Sequence, residues 1–354
     1  MFLAIRELIH AKFRYVLIGL IMVLIACLIF IISGLAQGLS ADNASAIQNL
    51  QADYLLIEPD AELEMTSSFI PHEEQEEVAQ VDGVEEVNSL SIRMMNASVN
   101  DSEQNEDLAL FVTESDGMLM PSVSEGRAVN SDNEAIVDDS LKREGIEIGD
   151  TLKFGEDSEL TIVGFAENQR YSHASVVFTD AGQTENINAI AIQADEAHTD
   201  ALQTHVGGSL DMVTKEEALQ GIPSYSQEQA SLNMMIIFLY VIAAFVLAAF
   251  FYVITLQKRD QFGVLKALGA KTAYLVKNLV GQVVLISIIC IVVSVGLTFG
   301  VAALLPEDMP FLLTADGMIQ TSVLVLMVSV LGAIISLIQV VKIDPIEAIE
   351  GAGK

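Results

Sequence analysis

Four long apolar runs constrain this chain more than any other feature. Tyr15–Leu35 contains no charged residue in 21 positions, about the ~20 residues that an α-helix needs to cross a bilayer core. Three comparable runs follow at Met234–Leu256, about Leu279–Leu305 and Ile319–Val341. A cleaved leader would also show a basic residue ahead of an apolar run and alanines behind it. The first run exceeds the ~7–15 residues usual for that purpose, which favours a retained span. The predicted layout is span one at 15–36, span two at 232–256, span three at 278–305 and span four at 319–341.

Charge is segregated in the same way. Residues 38–231 hold 40 acidic and 7 basic side chains, a net of −33, whereas the rest of the chain holds 8 and 10. Such a segment repels phosphate, so nucleic acid is not an expected partner. Lysine and arginine number three in 1–14, five in 257–277 and two in 342–354, and the short loop 306–318 has none. By the positive-inside rule both termini and the 257–277 loop are cytoplasmic, and the 37–231 segment and the 306–318 loop are outside. Phe2, Ile5, Ile9 and Phe13 share one helical face, so 1–14 reads as an interfacial amphipathic helix and 342–354 as a cytoplasmic tail.

The polar segment reads as an α+β domain. Gln37–Gln51 continues the first helix, and Tyr225–Asn233 forms a stalk leading into span two. Strands are predicted at Tyr54–Ile57, Val87–Met94, Leu108–Thr113, Ala135–Val137, Thr151–Phe154, Leu160–Phe165, Ala174–Phe178 and Ala189–Gln193, separated by Asp-Gly and other glycine breakers. Helices are predicted at Pro71–Val81, Ser140–Glu144, Glu196–Val206 and Lys215–Gln220. The fold class is therefore a membrane protein of four transmembrane helices, with a large extracellular α+β domain between the first two.

Several chemistries lack the residues they need. Both cysteines, Cys27 and Cys290, lie in apolar runs, so the polar domain has no disulfide framework or thiolate metal site. No phosphate-binding Gly-x-x-x-x-Gly-Lys-Ser/Thr loop, His-Glu-x-x-His pair or Gly-x-Ser-x-Gly elbow occurs. An enzyme is not expected, and ATP would have to be bound by another chain. The spans have no acid, base or histidine at their centres, which disfavours ion-driven transport.

Between spans two and three lies Arg259-Asp260-Gln261-Phe262-Gly263-Val264-Leu265-Lys266-Ala267-Leu268-Gly269. Phe262, Leu265 and Leu268 recur every third residue and are expected on one apolar face, with Arg259 and Lys266 off it and Gly269 as the stop. A short amphipathic helix tied to two spans is suited to passing a push from a cytoplasmic partner.

These residues carry a resemblance. Gly263–Ala270, Asp344-Pro345-Ile346-Glu347-Ala348-Ile349, Glu125-Gly126-Arg127, Asn133–Asp138 and Ile148-Gly149-Asp150 resemble motifs of the FtsX/MacB-like superfamily of ABC transporter permeases, the type VII exporters. Within it, Lys12-Phe13-Arg14-Tyr15, Ile32–Leu39, Ser224–Ala230, Leu232–Met235, Phe250–Val253, Tyr171-Ser172-His173 and Met309-Pro310-Phe311 resemble the haem-regulated permeases of Gram-positive bacteria. The resemblance implies a permease homodimer with two copies of a separate ATPase, working by mechanotransmission, and Arg259, Phe262, Gly263, Leu265, Lys266, Leu268 and Gly269 as its coupling segment. It implies haem as substrate, with no intrinsic cofactor or metal. The rival readings are export of an antimicrobial peptide or lipid-like compound, and a non-transporting regulator of a cell-wall hydrolase.

A haem carrier needs an apolar, laterally open site with a soft or aromatic ligand. The candidates are Gln37 and Asp42 after span one, Tyr225, Met234 and Met235 before span two, and Tyr171 and His173 in the domain. Tyr225 and Met235 are ten residues apart, about 15 Å along one helix, so a single helix cannot bring both to one iron.

Overall fold

A computed structural model describes residues 12–100, 102, 105–155, 158–180, 186–194, 202–203, 208–257, 259–306 and 309–341. The expected interfacial helix to residue 11, most of the Glu196–Val206 helix and the 342–354 tail lie outside them. The chain divides into two compact units, one of residues 1–38 with 231–354, the other of residues 39–230.

Seven helices carry the argument: α1 (Lys12–Gln48), α2 (Glu73–Val78), α3 (Lys215–Gln220), α4 (Tyr225–Gln257), α5 (Arg259–Ala267), α6 (Thr272–Ala302) and α7 (Ala315–Val341). Four of them, α1, α4, α6 and α7, are long and apolar enough to cross a membrane. In this unit α1 is held along α6 by polar contacts. The Tyr15 hydroxyl donates to Gln282 Oε1 at 3.3 Å, and Ser294 Oγ donates to the Val23 carbonyl at 3.0 Å. Cys290 Sγ lies 3.5 Å from the Gly19 carbonyl. Both cysteines are free thiols. Ser329 and Ser322 satisfy their hydroxyls on carbonyls one turn back, and Ser294 shares its single proton between the Val23 and Cys290 carbonyls, so each is tolerated in an apolar helix.

Among the described residues the inserted unit has thirteen strands: β1 (Tyr54–Ile57), β2 (Ile70–Pro71), β3 (Val84–Val99), β4 (Asn105–Val112), β5 (Glu125–Gly126), β6 (Glu134–Asp138), β7 (Thr151–Phe154), β8 (Ser158–Ala166), β9 (Arg170–Tyr171), β10 (Ala174–Thr179), β11 (Asn186–Ile187), β12 (Ala189–Ala194) and β13 (Asp211–Thr214). Eleven form one mixed sheet with the path β13-β1-β12-β3-β4-β10-β6-β8-β5, while β7 bridges β3 and β8, and β9 pairs with β10. The 16-residue β3 is the hub, since its first half pairs with β12 and its second with β4 and then β7. Ala44, Ala46 and Ile47 of α1 are fully buried among Leu55, Phe111, Ile136 and Phe178 of the sheet. The polar end of α1 is thus a core element of the domain. Thr214 and Glu217 close a reciprocal capping box at the start of α3.

The motifs Glu125–Arg127 and Asn133–Asp138 meet here as structural parts. Arg127 donates to Glu134 at 2.6 Å and holds its carboxyl well down, at about 2. Gly126 has φ +94°, and a Cβ there would stand 2.4 Å from the Val163 carbonyl oxygen, so no other residue fits.

Candidate functional site

Within the inserted unit, the ends of α1 and α4 meet one hairpin. Strands β9 and β10 pair Tyr171 with Ala174, leaving Ser172 and His173 as a two-residue turn. Both have positive φ, +49° and +65°, in a position usually filled by Asn-Gly. Non-glycine residues in that region cost on the order of 1–3 kcal/mol each, and persist only where the surroundings hold them. Here the hold comes from α1: the Ser172 amide donates to the Asn43 carbonyl at 2.7 Å, and the Arg170 amide donates to Ser45 Oγ at 3.0 Å. The Arg170 guanidinium completes it, with Nε donating to Asp42 Oδ1 at 3.1 Å, Nη1 to Ser175 Oγ at 2.6 Å and Nη2 to the His173 carbonyl.

His173 therefore stands between two carboxylates on different helices. Its Nδ1 is 2.7 Å from Asp42 Oδ2, and its Nε2 is 3.3 Å from Glu228 Oε1 of α4. Asn43 Nδ2 donates to Glu228 Oε2 at 3.1 Å, and to His173 Nε2, 3.2 Å away, only in the neutral form that leaves this nitrogen unprotonated. A neutral imidazole has one N–H and can donate to only one acid, whereas the imidazolium donates to both. Partial burial pulls the His173 pKa down, but the hydrogen bonds and charges of Asp42 and Glu228 outweigh it and raise it above the usual histidine value. Tyr225 adds a second link between the helices, its hydroxyl 3.1 Å from Ser40 Oγ. Behind Arg170 the network reaches Asp138, which burial raises above the usual carboxylate range and which accepts the Gln169 amide at 2.6 Å.

The structure thus brings Asp42 and His173 into contact and places Tyr225 on the same pair of helices. Tyr171 is a correction. It is 1% exposed in the domain core, edge-on to Phe111 at 5.4 Å, and burial drives its phenol far above the usual tyrosine range. Position in the hairpin explains this: Tyr171 sits on β9 with its ring in the core, whereas His173 belongs to the turn itself and escapes the strand alternation. Gln37 lies in the membrane unit and accepts from Thr314 Oγ1 at 2.7 Å. Met234 and Met235 are 56% and 47% exposed on α4. Asn43, Arg170 and Glu228 were not among the predicted residues. Arg170 had a signal, being one of seven basic residues in a segment of net −33.

At the 257–277 loop, α5 lies on α6 through Phe262, which is buried against Leu275 and Leu279, with Leu265 partly buried beside it. Leu268 is a second correction: it is 80% exposed rather than sharing that face. A three-residue step falls about 60° short of a full turn, so two steps swing Leu268 about 120° from Phe262. Gly269, at φ +94°, ends the helix. Its amide donates to the Lys266 carbonyl and the Ala270 amide to the Leu265 carbonyl, a full Schellman stop. Gly263 is buried within α5. The Arg259 side chain lies outside the described residues.

Residues 233–345 match the family model described as FtsX-like permease C-terminal. The "Putative hemin transport system permease protein HrtB" of Staphylococcus haemolyticus is 32% identical over 354 residues, covering 99% of each chain. This chain belongs to the FtsX/MacB-like ABC transporter permeases. A HrtB of Staphylococcus epidermidis is 31% identical to the permease, again over 99% of both chains. Among solved structures, the periplasmic region of MacB from Actinobacillus actinomycetemcomitans is 10% identical and superposes at TM-score 0.39 on 50% of the permease and 97% of that chain. An ABC permease of this kind implies an ATP-hydrolysing partner subunit.

Proposed function

We propose that the permease exports haem as a homodimer with two copies of its ATPase, by mechanotransmission, and that the inserted domain lies outside the cell with both termini in the cytoplasm. The reading rests chiefly on similarity over 99% of both chains to proteins described as hemin transport permeases. The asymmetry of lysine and arginine supports the orientation. Met234 and Met235 give an apolar helix surface two thioethers, soft donors suited to haem iron. In the inserted unit, Asp42 and His173 form a charged junction with Tyr225 on the same pair of helices, where a carboxylate-bearing substrate would meet charge.

The test is titration of purified permease with haem, followed by the Soret band, alongside haem tolerance in cells. Met234→Ala with Met235→Ala is expected to weaken both and spare basal ATPase activity. An unchanged spectrum with full tolerance would remove the thioethers from the site. Orientation has its own check: a cysteine at Ser102 should react with an impermeant maleimide in intact cells, and one at Ala270 should not.

A further inference from the structure

Within the membrane unit, α1 carries a notch without side chains. Gly34 and Gly38 are one turn apart on the same helical face. The segment before α7 lies across them. A Cβ on Gly38 would stand 2.1 Å from the Pro310 carbonyl oxygen and 2.5 Å from the Phe311 amide nitrogen. One on Gly34 would stand 2.7 Å from the Phe311 ring. The Leu312 amide donates to the Gly34 carbonyl at 3.0 Å. Thr314 then does two things, donating from its hydroxyl to Gln37 Oε1 at 2.7 Å and accepting the Gly317 amide at 3.1 Å, which caps α7. A Cβ on Gly317 would meet the Gln37 amide group at 2.3 Å, so a side chain there would push Gln37 off Thr314.

These contacts differ from ordinary span packing in kind. At Gly38 the opposing atoms are backbone, which cannot swing aside as a side chain can, and Pro310 has a fixed φ. A helix that slid past this segment would break both the Leu312–Gly34 bond and the Gln37–Thr314 bond.

We propose that residues 309–314 are a permanent strap, so that α1 and the start of α7 move as one body throughout the ATP-driven cycle, and that Gln37 is a positioning residue of this strap rather than a contact to the substrate. The proposal needs the ATP-driven permease reading but not haem as cargo.

The test uses the full permease in complex with its ATPase, with Cys27→Ala and Cys290→Ala as background. Gln37→Cys with Thr314→Cys is bridged by a short bis-methanethiosulfonate reagent, in the nucleotide-free state and in the state trapped with ATP and vanadate. Equal bridging in both states, with ATPase turnover unchanged by the bridge, is the expected result. Bridging in one state only, or turnover lost on bridging and restored by reductant, would overturn the strap. Gly38→Ala should lower turnover, while Gly281→Ala, whose Cβ meets nothing within 4 Å, should not. A folded Gly38→Ala complex with full turnover would also overturn it. If Gly38→Ala does not fold, the bridging result decides alone. Neither readout involves haem, so a different substrate leaves the test intact.

Discussion

Helices α1 and α4 both run without a break from the membrane unit into the inserted unit, yet they are held differently. In the membrane unit α1 is fixed by Tyr15, Gly19, Val23, Gly34 and Gln37, each in contact with α6 or with the segment leading to α7. In the inserted unit its Asp42, Asn43 and Ser45 grip the β9–β10 hairpin. On α4 the stalk is gripped through Tyr225 and Glu228, but Met234, Phe238, Ile242 and Phe245 are largely exposed. Apolar surface facing lipid carries little hydrophobic penalty, so α4 can leave that face open to lipid, a second copy or a lipid-soluble cargo. Both helices bury one face and expose another, Leu20 and Leu24 on α1 as well as Phe238 and Phe245 on α4; what makes α1 the strut is its added clasp on α6 and on the segment before α7.

The largest expected effect comes from the α5 end of the membrane unit, which bears on both helices through α5 and α6. Leu265→Asp puts a charge at the partly buried α5–α6 contact and should abolish export and substrate-stimulated ATPase activity without preventing membrane insertion. Unchanged efflux in this variant would show that α5 does not drive the helices. Next is the strut. Arg170→Met removes charge-assisted hydrogen bonds to Asp42 and Ser175 and should destabilise the permease by about 2 kcal/mol. The measurement is thermal unfolding in detergent, and a melting temperature equal to wild type would mean that the hairpin is not held by Arg170. The exposed face of α4 should behave oppositely. Phe245→Ala should change the melting temperature little, because a residue that is 74% exposed in this chain leaves no cavity in it. A drop as large as that of Arg170→Met would identify a partner covering α4.

The smallest effect joins the two helices. The folded His173 pKa is raised, so its contribution is fully present below the unfolded value of about 6.5 and is lost as pH rises through the folded value. Partial exposure screens it, so the effect is small. His173→Gln should therefore lower the melting temperature more at pH 5.5 than at pH 8.5. An equal loss at both would mean that the link works as a neutral hydrogen bond.

Much of the fold was legible because its signals are local. The bounds of Tyr54–Ile57, Thr151–Phe154 and Lys215–Gln220 coincide with β1, β7 and α3, where apolar alternation or a capping pair lies within a few residues. The prediction of Val87–Met94 found only the middle of β3, since its outer residues are strand through pairing with β7 and β12 rather than through apolar pattern. Strand β9 was not predicted at all, being two residues long and defined only by its partner.

The sequence by itself determined the four spans and the α+β character of the insert, because hydropathy and periodicity are properties of consecutive residues. Only the tertiary structure decided that His173 lies between Asp42 and Glu228, that Tyr171 is core, and that Pro310 sits on Gly38. Those pairs are separated by 131, 55 and more residues along the chain. Such contacts are fixed by strand register and helix packing, and no short-range pattern records which distant segment will fill a given notch.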